Sequence, residues 1–227
     1  MAHSGIEVLF QGKNFLRLMG GLWTSVWIAG VSLGFGLLLG TILGVLRTLK
    51  NAVLRVVLRL YLEFFRIVPT IVLLFLVYYI LPRQFHVEVS AEWMAVLAFS
   101  LWVSAEFSDI VRGALESVPK YQREAGLALG LTKGQLFVHV LMPQAFMLEL
   151  PAAINLATRV VKTTSLLMII SVMDVINVGQ QIIEANNQQY PSGVFLIYGF
   201  IFMLYLIVDY PLSLISKMLQ QKFSANL

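Results

Sequence analysis

Four ionisable side chains well inside the long apolar stretches of this 227-residue chain are the first candidates: Arg66, Glu106, Arg159 and Lys162. At the centre of a membrane helix each costs roughly 2.5–3.5 kcal/mol, so such groups usually turn towards a bundle interior or an aqueous path. Asn155, Arg159 and Lys162 follow one another at intervals of four and three residues, which puts them on one helical face. Thr163, Thr164 and Ser165 add three hydroxyls beside that face. The chemistry on offer is binding rather than bond making. A guanidinium fork grips a carboxylate through two parallel hydrogen bonds, Glu106 can receive an ammonium group, and hydroxyls suit either. Each residue also has a plainer use. Arg66 can cap carbonyls around the nearby Pro69, Lys162 can pair with Glu106 or a helix end, and Arg159 can pair with Glu106. The hydroxyl run can satisfy its own helix backbone. Both readings stand at this stage.

The usual signatures of enzymatic chemistry are missing. The sequence has no Gly-x-x-x-x-Gly-Lys-Ser/Thr loop, so ATP is not bound here in the usual way, and it has no His-Glu-x-x-His. Its histidines, His3, His86 and His139, are scattered, and with no cysteine there is neither a disulfide nor a thiolate metal site. No catalytic residue, metal ligand or cofactor of its own is expected.

The elements that must position these groups are membrane helices. The chain is 59% hydrophobic and 12% charged, with mean hydropathy +0.82, against about 25% charged residues in a soluble domain. Five apolar runs, Leu22–Leu46, Val57–Leu81, Ala91–Leu115, Val140–Val172 and Ser192–Ser216, each exceed the ~20 residues a spanning helix needs. Pro69 and Pro151 interrupt two of them and predict breaks or kinks. The net charge of +4 reflects basic residues in the short gaps, a pattern of membrane topology rather than nucleic-acid binding. One set of gaps holds Arg47, Lys50, Arg55, Arg59, Arg112, Lys120, Arg123, Lys133, Lys217 and Lys222; the other holds Lys13, Arg17 and Arg83. The richer set belongs in the cytoplasm, giving an outer amino terminus, an inner carboxyl terminus and an outward segment Asp174–Pro191. Gly36, Gly40 and Gly44 repeat at four-residue spacing and predict a close packing seam against another helix or subunit. Ile6–Gly12 reads IEVLFQG, which looks like a viral-protease site left by an expression tag; residues 1–12 are set aside from the fold on that ground. Residues 13–227 then form a single transmembrane domain.

Between the third and fourth runs lies a cytoplasmic loop, residues 116–139. It contains a short helical stretch, Gln122 to Leu129, with Gly130 as its stop. Leu127, Leu129 and Leu131 put apolar side chains where water should surround them, which suggests a docked partner. The loop resembles the signature of ABC importer permeases: Glu-Ala-Ala, three residues, Gly, nine residues, Ile, one residue, Leu-Pro. Here Glu124, Ala125 and Gly126 are followed by Gly130, then Val140, Met142 and Pro143, with every spacing kept. The similarity extends over about Leu58 to Lys222 towards the polar amino-acid branch. Phe65-Arg66-x-x-Pro69 stands where that branch has Phe-Arg-Gly-Thr-Pro. Ser108-Asp109-Ile110-Val111-Arg112-Gly113 stands for Ala-Glu-Ile-Val-Arg-Gly, Met142-Pro143-Gln144-Ala145 for Leu-Pro-Gln-Ala, and Lys162-Thr163-Thr164-Ser165-Leu166 for Lys-Asp-Thr-Ser-Leu. Thr163 thus replaces the usual Asp, Glu106 a usual Tyr, and Arg159 a residue that is commonly small or apolar.

The resemblance implies an all-α type I importer permease of five spans in a bacterial inner membrane. Glu124, Ala125, Gly126, Leu129, Gly130 and Leu131 would form the coupling helix that docks on a separate ATPase dimer, which binds ATP and Mg. The other implied partners are a second permease, identical or homologous, an extracytoplasmic amino-acid-binding protein, and membrane lipid, with no nucleic acid. Glu106, Asn155, Arg159, Lys162, Thr163, Thr164, Ser165 and Arg66 are the candidate substrate pathway. A stand-alone channel or secondary transporter is the alternative, and would work without an ATPase. An exporter domain would normally have six spans and lack the signature.

Overall fold

The protein was analysed as a computed structural model, which describes residues 6–224 except Asn187, Gln189 and Ser192; residues 1–5 of the presumed tag lie outside the described residues. Every regular element among the described residues is helical. They are α1 (Ile6–Phe10), α2 (Asn14–Arg47), α3 (Ala52–Ile67), α4 (Thr70–Phe85), α5 (Ala91–Ser117), α6 (Lys120–Ala128), α7 (Lys133–Ile170), α8 (Val175–Asn186) and α9 (Gly193–Ser224). Four of these, α2, α5, α7 and α9, are each long and apolar enough to cross a bilayer, and α3 and α4 together have the length and composition of a fifth, broken span or of a re-entrant loop.

The two prolines behave differently. Val68, which precedes Pro69, is extended at φ −69° and ψ 123°, as clash with the proline ring requires. The helix therefore stops, and α4 resumes at 104° to α3. Pro151 stays within α7, where the Ser216 hydroxyl of α9 donates to its carbonyl at 2.9 Å.

Helix α5 is the centre of the bundle, and α2 lies along it through the glycine seam. A Cβ on Gly36 would stand 2.4 Å from Val103 Cγ1, on Gly40 2.8 Å from Phe107 Cβ, and on Gly44 2.6 Å from Val111 Cβ. Partner numbers rise together in steps of four, so the two helices run parallel. That is the relation the first and third spans must have. The seam is internal to this chain.

The segment Asp174–Pro191, read from sequence only as an outward stretch, contains α8. The Asp174 side chain caps it, accepting from the backbone N–H groups of Ile176 and Asn177 at 3.2 and 3.0 Å. Burial pushes the Asp174 carboxyl up to about 6, partly opposed by those hydrogen bonds. Val175, Val178 and Ile182 pack on Leu18, Ile197 and Ile201. Residues 6–10, set aside in the sequence, join the same cluster: Val8 and Leu9 of α1 are buried there, and the Asn14 side chain donates to the Val8 carbonyl at 2.8 Å. This stretch is packed into the body.

The seam generates a test. Gly40→Leu should cost roughly 1–3 kcal/mol through overpacking and lower the thermal midpoint of the detergent-solubilised protein. Gly34→Ala, where an added Cβ meets nothing within 4 Å, should leave it unchanged. Equal midpoints for the two variants would refute backbone contact at the seam.

Candidate functional site

The loop between α5 and α7 is built by local rules. Helix α6 follows Pro119 and ends where Gly130 takes φ +82°, a conformation that glycine adopts at no steric penalty. The Leu131 N–H bonds the Gly126 carbonyl at 3.1 Å and the Gly130 N–H bonds the Leu127 carbonyl at 3.0 Å. This is the double closure of a Schellman stop. Thr132 and Gln135 then form a reciprocal capping box that opens α7. Gly126 is the one fully buried position of α6, and a Cβ there would meet Leu136 Cδ1 at 2.5 Å. Glu124, Ala125, Leu127 and Leu129 stay exposed, Leu129 by 84%; Leu131 is half-buried beneath the turn. Gln144 ties the loop down, donating to the Gln122 side chain and to the Val140 carbonyl. A single π turn, Phe137–Leu141, lies between the loop and the body of α7. The result is a compact knob whose exposed surface carries Leu127 and Leu129 beside Arg123 and Glu124.

The intramembrane charges are joined in a ladder. Arg159 Nη2 donates to Glu106 Oε2 at 2.7 Å, and Arg159 also lies 5.9 Å from the Trp102 ring centroid, within cation–π range. Arg66 Nε is 3.6 Å from Glu106 Oε1 and its Nη1 is 3.5 Å from Asp109 Oδ2. Arg66 thus meets carboxylates, not the carbonyls around Pro69. Asp109 Oδ1 also holds Arg47 at 3.2 Å and Arg112 at 3.1 Å, and Arg112 continues to Glu116 at 2.8 Å. Glu106, Asp109, Arg112 and Glu116 share one face of α5 by their spacing of three, three and four, while α2, α3 and α7 bring the remaining cations.

The face of α7 divides as its periodicity requires. Asn155, Arg159 and Lys162 are exposed together. The hydroxyls are not a uniform set. Thr163 donates to the Arg159 carbonyl at 2.8 Å, and Thr164 is fully buried and donates to the Val161 carbonyl at 2.7 Å. Thr164 therefore faces the core and is removed from the accessible pathway; Ser165 is half-buried. Lys162 is not drawn to Glu106. Asp209 of α9 is a buried carboxylate with neither oxygen hydrogen-bonded among the described residues.

Sequence reasoning passed over three intramembrane acids. Asp109 is the hub of the ladder, Asp209 is buried on α9, and Glu149 borders an apolar cavity of about 620 Å³ between α2, α5 and α7. All three fall in apolar runs, so the rule that singled out Glu106 would have found them. Among the described residues, no group of His, Asp and Glu side chains is arranged to hold a metal ion.

Comparison with known proteins agrees with this architecture. The family described as "Binding-protein-dependent transport system inner membrane component" matches residues 36–224. The L-cystine transport system permease protein TcyB of Bacillus subtilis (strain 168) is 34% identical over 154 residues, which are 68% of this chain and 64% of TcyB. The glutamine transport system permease protein GlnP of Escherichia coli (strain K12) is 32% identical over 162 residues, 71% of this chain and 72% of GlnP. In structure the chain is similar to a crystallised amino acid ABC transporter with histidines, at TM-score 0.81 and 24% identity, covering 96% of this chain and 100% of the other. It is also similar to an inward-facing MetNI methionine ABC transporter, at TM-score 0.74 and 19% identity, covering 91% and 96%. At such identities these two likenesses establish the fold, that of type I ABC importer permeases. With the family match extending from the glycine seam to the last turn of α9, the chain belongs to the inner-membrane components of binding-protein-dependent transport systems and is a multi-pass permease subunit.

Proposed function

We propose that this permease moves a polar amino acid into the cytoplasm by alternating access, driven by a separate ATPase dimer that docks on the coupling loop and itself binds ATP and Mg. The observation that carries the reading is the exposed charged face of α7. Asn155, Arg159 and Lys162 lie open on a membrane helix of the isolated chain, and charges do not face hydrocarbon. A second permease, identical or homologous, covers that face and encloses a watered path between the two. An extracytoplasmic binding protein loads the path. The names of relatives that carry cystine, arginine and glutamine support an amino-acid substrate.

In this reading Arg159 and Glu106 act as a resting pair that substrate opens. The substrate carboxylate takes the guanidinium, the substrate ammonium takes Glu106, and Trp102 flanks the site. Arg66, beside the other oxygen of Glu106, holds that carboxylate in place from the side away from substrate. Cytoplasmic and outer ends are assigned by the positive-inside rule.

Three outcomes test this. Arg159→Ala should lower transport by the reconstituted importer roughly 10- to 150-fold, the value of one charged hydrogen bond, with little change in melting temperature because Arg159 is half exposed and Arg66 remains beside Glu106. A large melting shift rescued by combining Arg159→Glu with Glu106→Arg would instead assign the pair to structure.

Glu124→Lys and Gly130→Val should insert normally yet lose stimulation of ATP hydrolysis by the loaded binding protein. Wild-type transport by both would sink the coupling assignment.

The chain has no cysteine of its own. In intact spheroplasts Leu129→Cys should therefore resist an impermeant maleimide, and Glu88→Cys should react. The reverse pattern would invert the topology.

A further inference from the structure

Where α2 ends and α3 begins, a polar cavity of about 510 Å³ opens. Five arginines line it, Arg47, Arg55, Arg59, Arg66 and Arg112, against the carboxylates of Glu63, Asp109 and Glu116. Arg47, Arg66 and Arg112 are engaged by Asp109, and Arg112 also by Glu116. Arg55 and Arg59, one turn apart on α3, are exposed and form no ion pair among the described residues. The cavity thus keeps two uncommitted guanidinium groups and a net positive charge. A second observation concerns α3 itself. Leu58, Leu62 and Phe65 pack inward, while Val53, Val56, Val57, Leu60, Phe64 and Ile67 form an exposed apolar stripe at helical spacing. On the helical wheel Arg55 and Arg59 fall between those two faces. An amphipathic helix with cations flanking an exposed apolar stripe is the pattern of a segment lying at a membrane surface.

We infer that this corner is a binding site for an anionic phospholipid of the cytoplasmic leaflet. Arg55 and Arg59 hold the phosphate oxygens, and the acyl chains lie along the apolar stripe of α3. Guanidinium forks match phosphate oxygens in geometry and charge. Anionic lipids concentrate in that leaflet, where basic pockets between membrane helices take their headgroups. A zwitterionic headgroup would bring an ammonium to a positive cavity, and free phosphate would leave the stripe bare. The inference rests on the inward orientation proposed above, which the Leu129 and Glu88 labelling reads independently; correct labelling with failed lipid binding would count against this site alone.

The test uses the intact importer complex, reconstituted in vesicles of phosphatidylcholine and phosphatidylglycerol and released for native mass spectrometry. Wild type should retain phosphatidylglycerol in preference to phosphatidylcholine. Combined Arg55→Gln and Arg59→Gln should lower that retention on the order of 30-fold, the expected effect of two surface cations. Combined Arg55→Lys and Arg59→Lys, and Arg83→Gln on the opposite side, should keep it. Added inorganic phosphate should not displace the lipid. Equal retention in wild type and the double Gln variant would overturn the site. Displacement by inorganic phosphate would make it a site for the free anion, and loss of a protein subunit from the double Gln variant would make it a protein interface; either overturns the lipid assignment.

Discussion

A single carboxylate, Asp109, answers three guanidinium groups from three helices. Arg47 closes α2, Arg66 sits near the end of α3, and Arg112 lies one turn further along α5. In a medium that does not solvate charge, these cations can enter the bundle only where an anion already stands. Asp109 therefore decides where the end of α2 and the bend of α3 come to rest against α5. Removing Asp109 would leave all three cations without that shared carboxylate. The same ladder reaches Glu106 and Arg159. The deepest candidate for substrate contact is thus joined by consecutive ion pairs to the end of the bundle that carries the coupling loop.

Much of the fold was legible because it follows from backbone rules. The Gly36–Gly40–Gly44 spacing announces a close helix contact, and only the partner was open; it is α5 of the same chain. Pro69 ends a helix because the residue before it must extend, whereas Pro151 does not. That difference depends on neighbouring helices and is not written locally. The coupling loop was readable almost residue by residue, since Gly130 as a stop and leucines stranded on a polar loop are local signals. Helix α8 was missed as an element although Val175, Val178, Gly179 and Ile182 follow helical spacing behind an aspartate cap. A search for spans discards a segment too short to span. The site was half legible. Arg159 and Glu106 were recognisable as costly residues, but whether they meet each other or a ligand depends on how α5 and α7 are turned. Thr164 shows the limit of reading hydroxyls from sequence: at one position from Thr163, helical rotation carries it from the accessible side into the core.

The leucine-bearing turn after α6 and the charged face of α7 share one property: both stay exposed on the folded chain. Leu129 is exposed beyond α6, and Asn155, Arg159 and Lys162 are exposed along α7. The folded subunit buries enough apolar surface to hold its own shape while leaving two chemically distinct faces uncovered. In the importer proposed above, the two faces sort partners by solvent: an apolar contact in water for one, and a polar contact shielded from lipid for the other.

The glycine seam has a mechanical consequence. Most helix pairs are separated by a layer of side chains whose rotamers can readjust, and that layer lets them slide. Along Gly36, Gly40 and Gly44 no such layer exists on the α2 side, because the backbone itself lies against Val103, Phe107 and Val111. Helices α2 and α5 are thereby locked into one stiff beam.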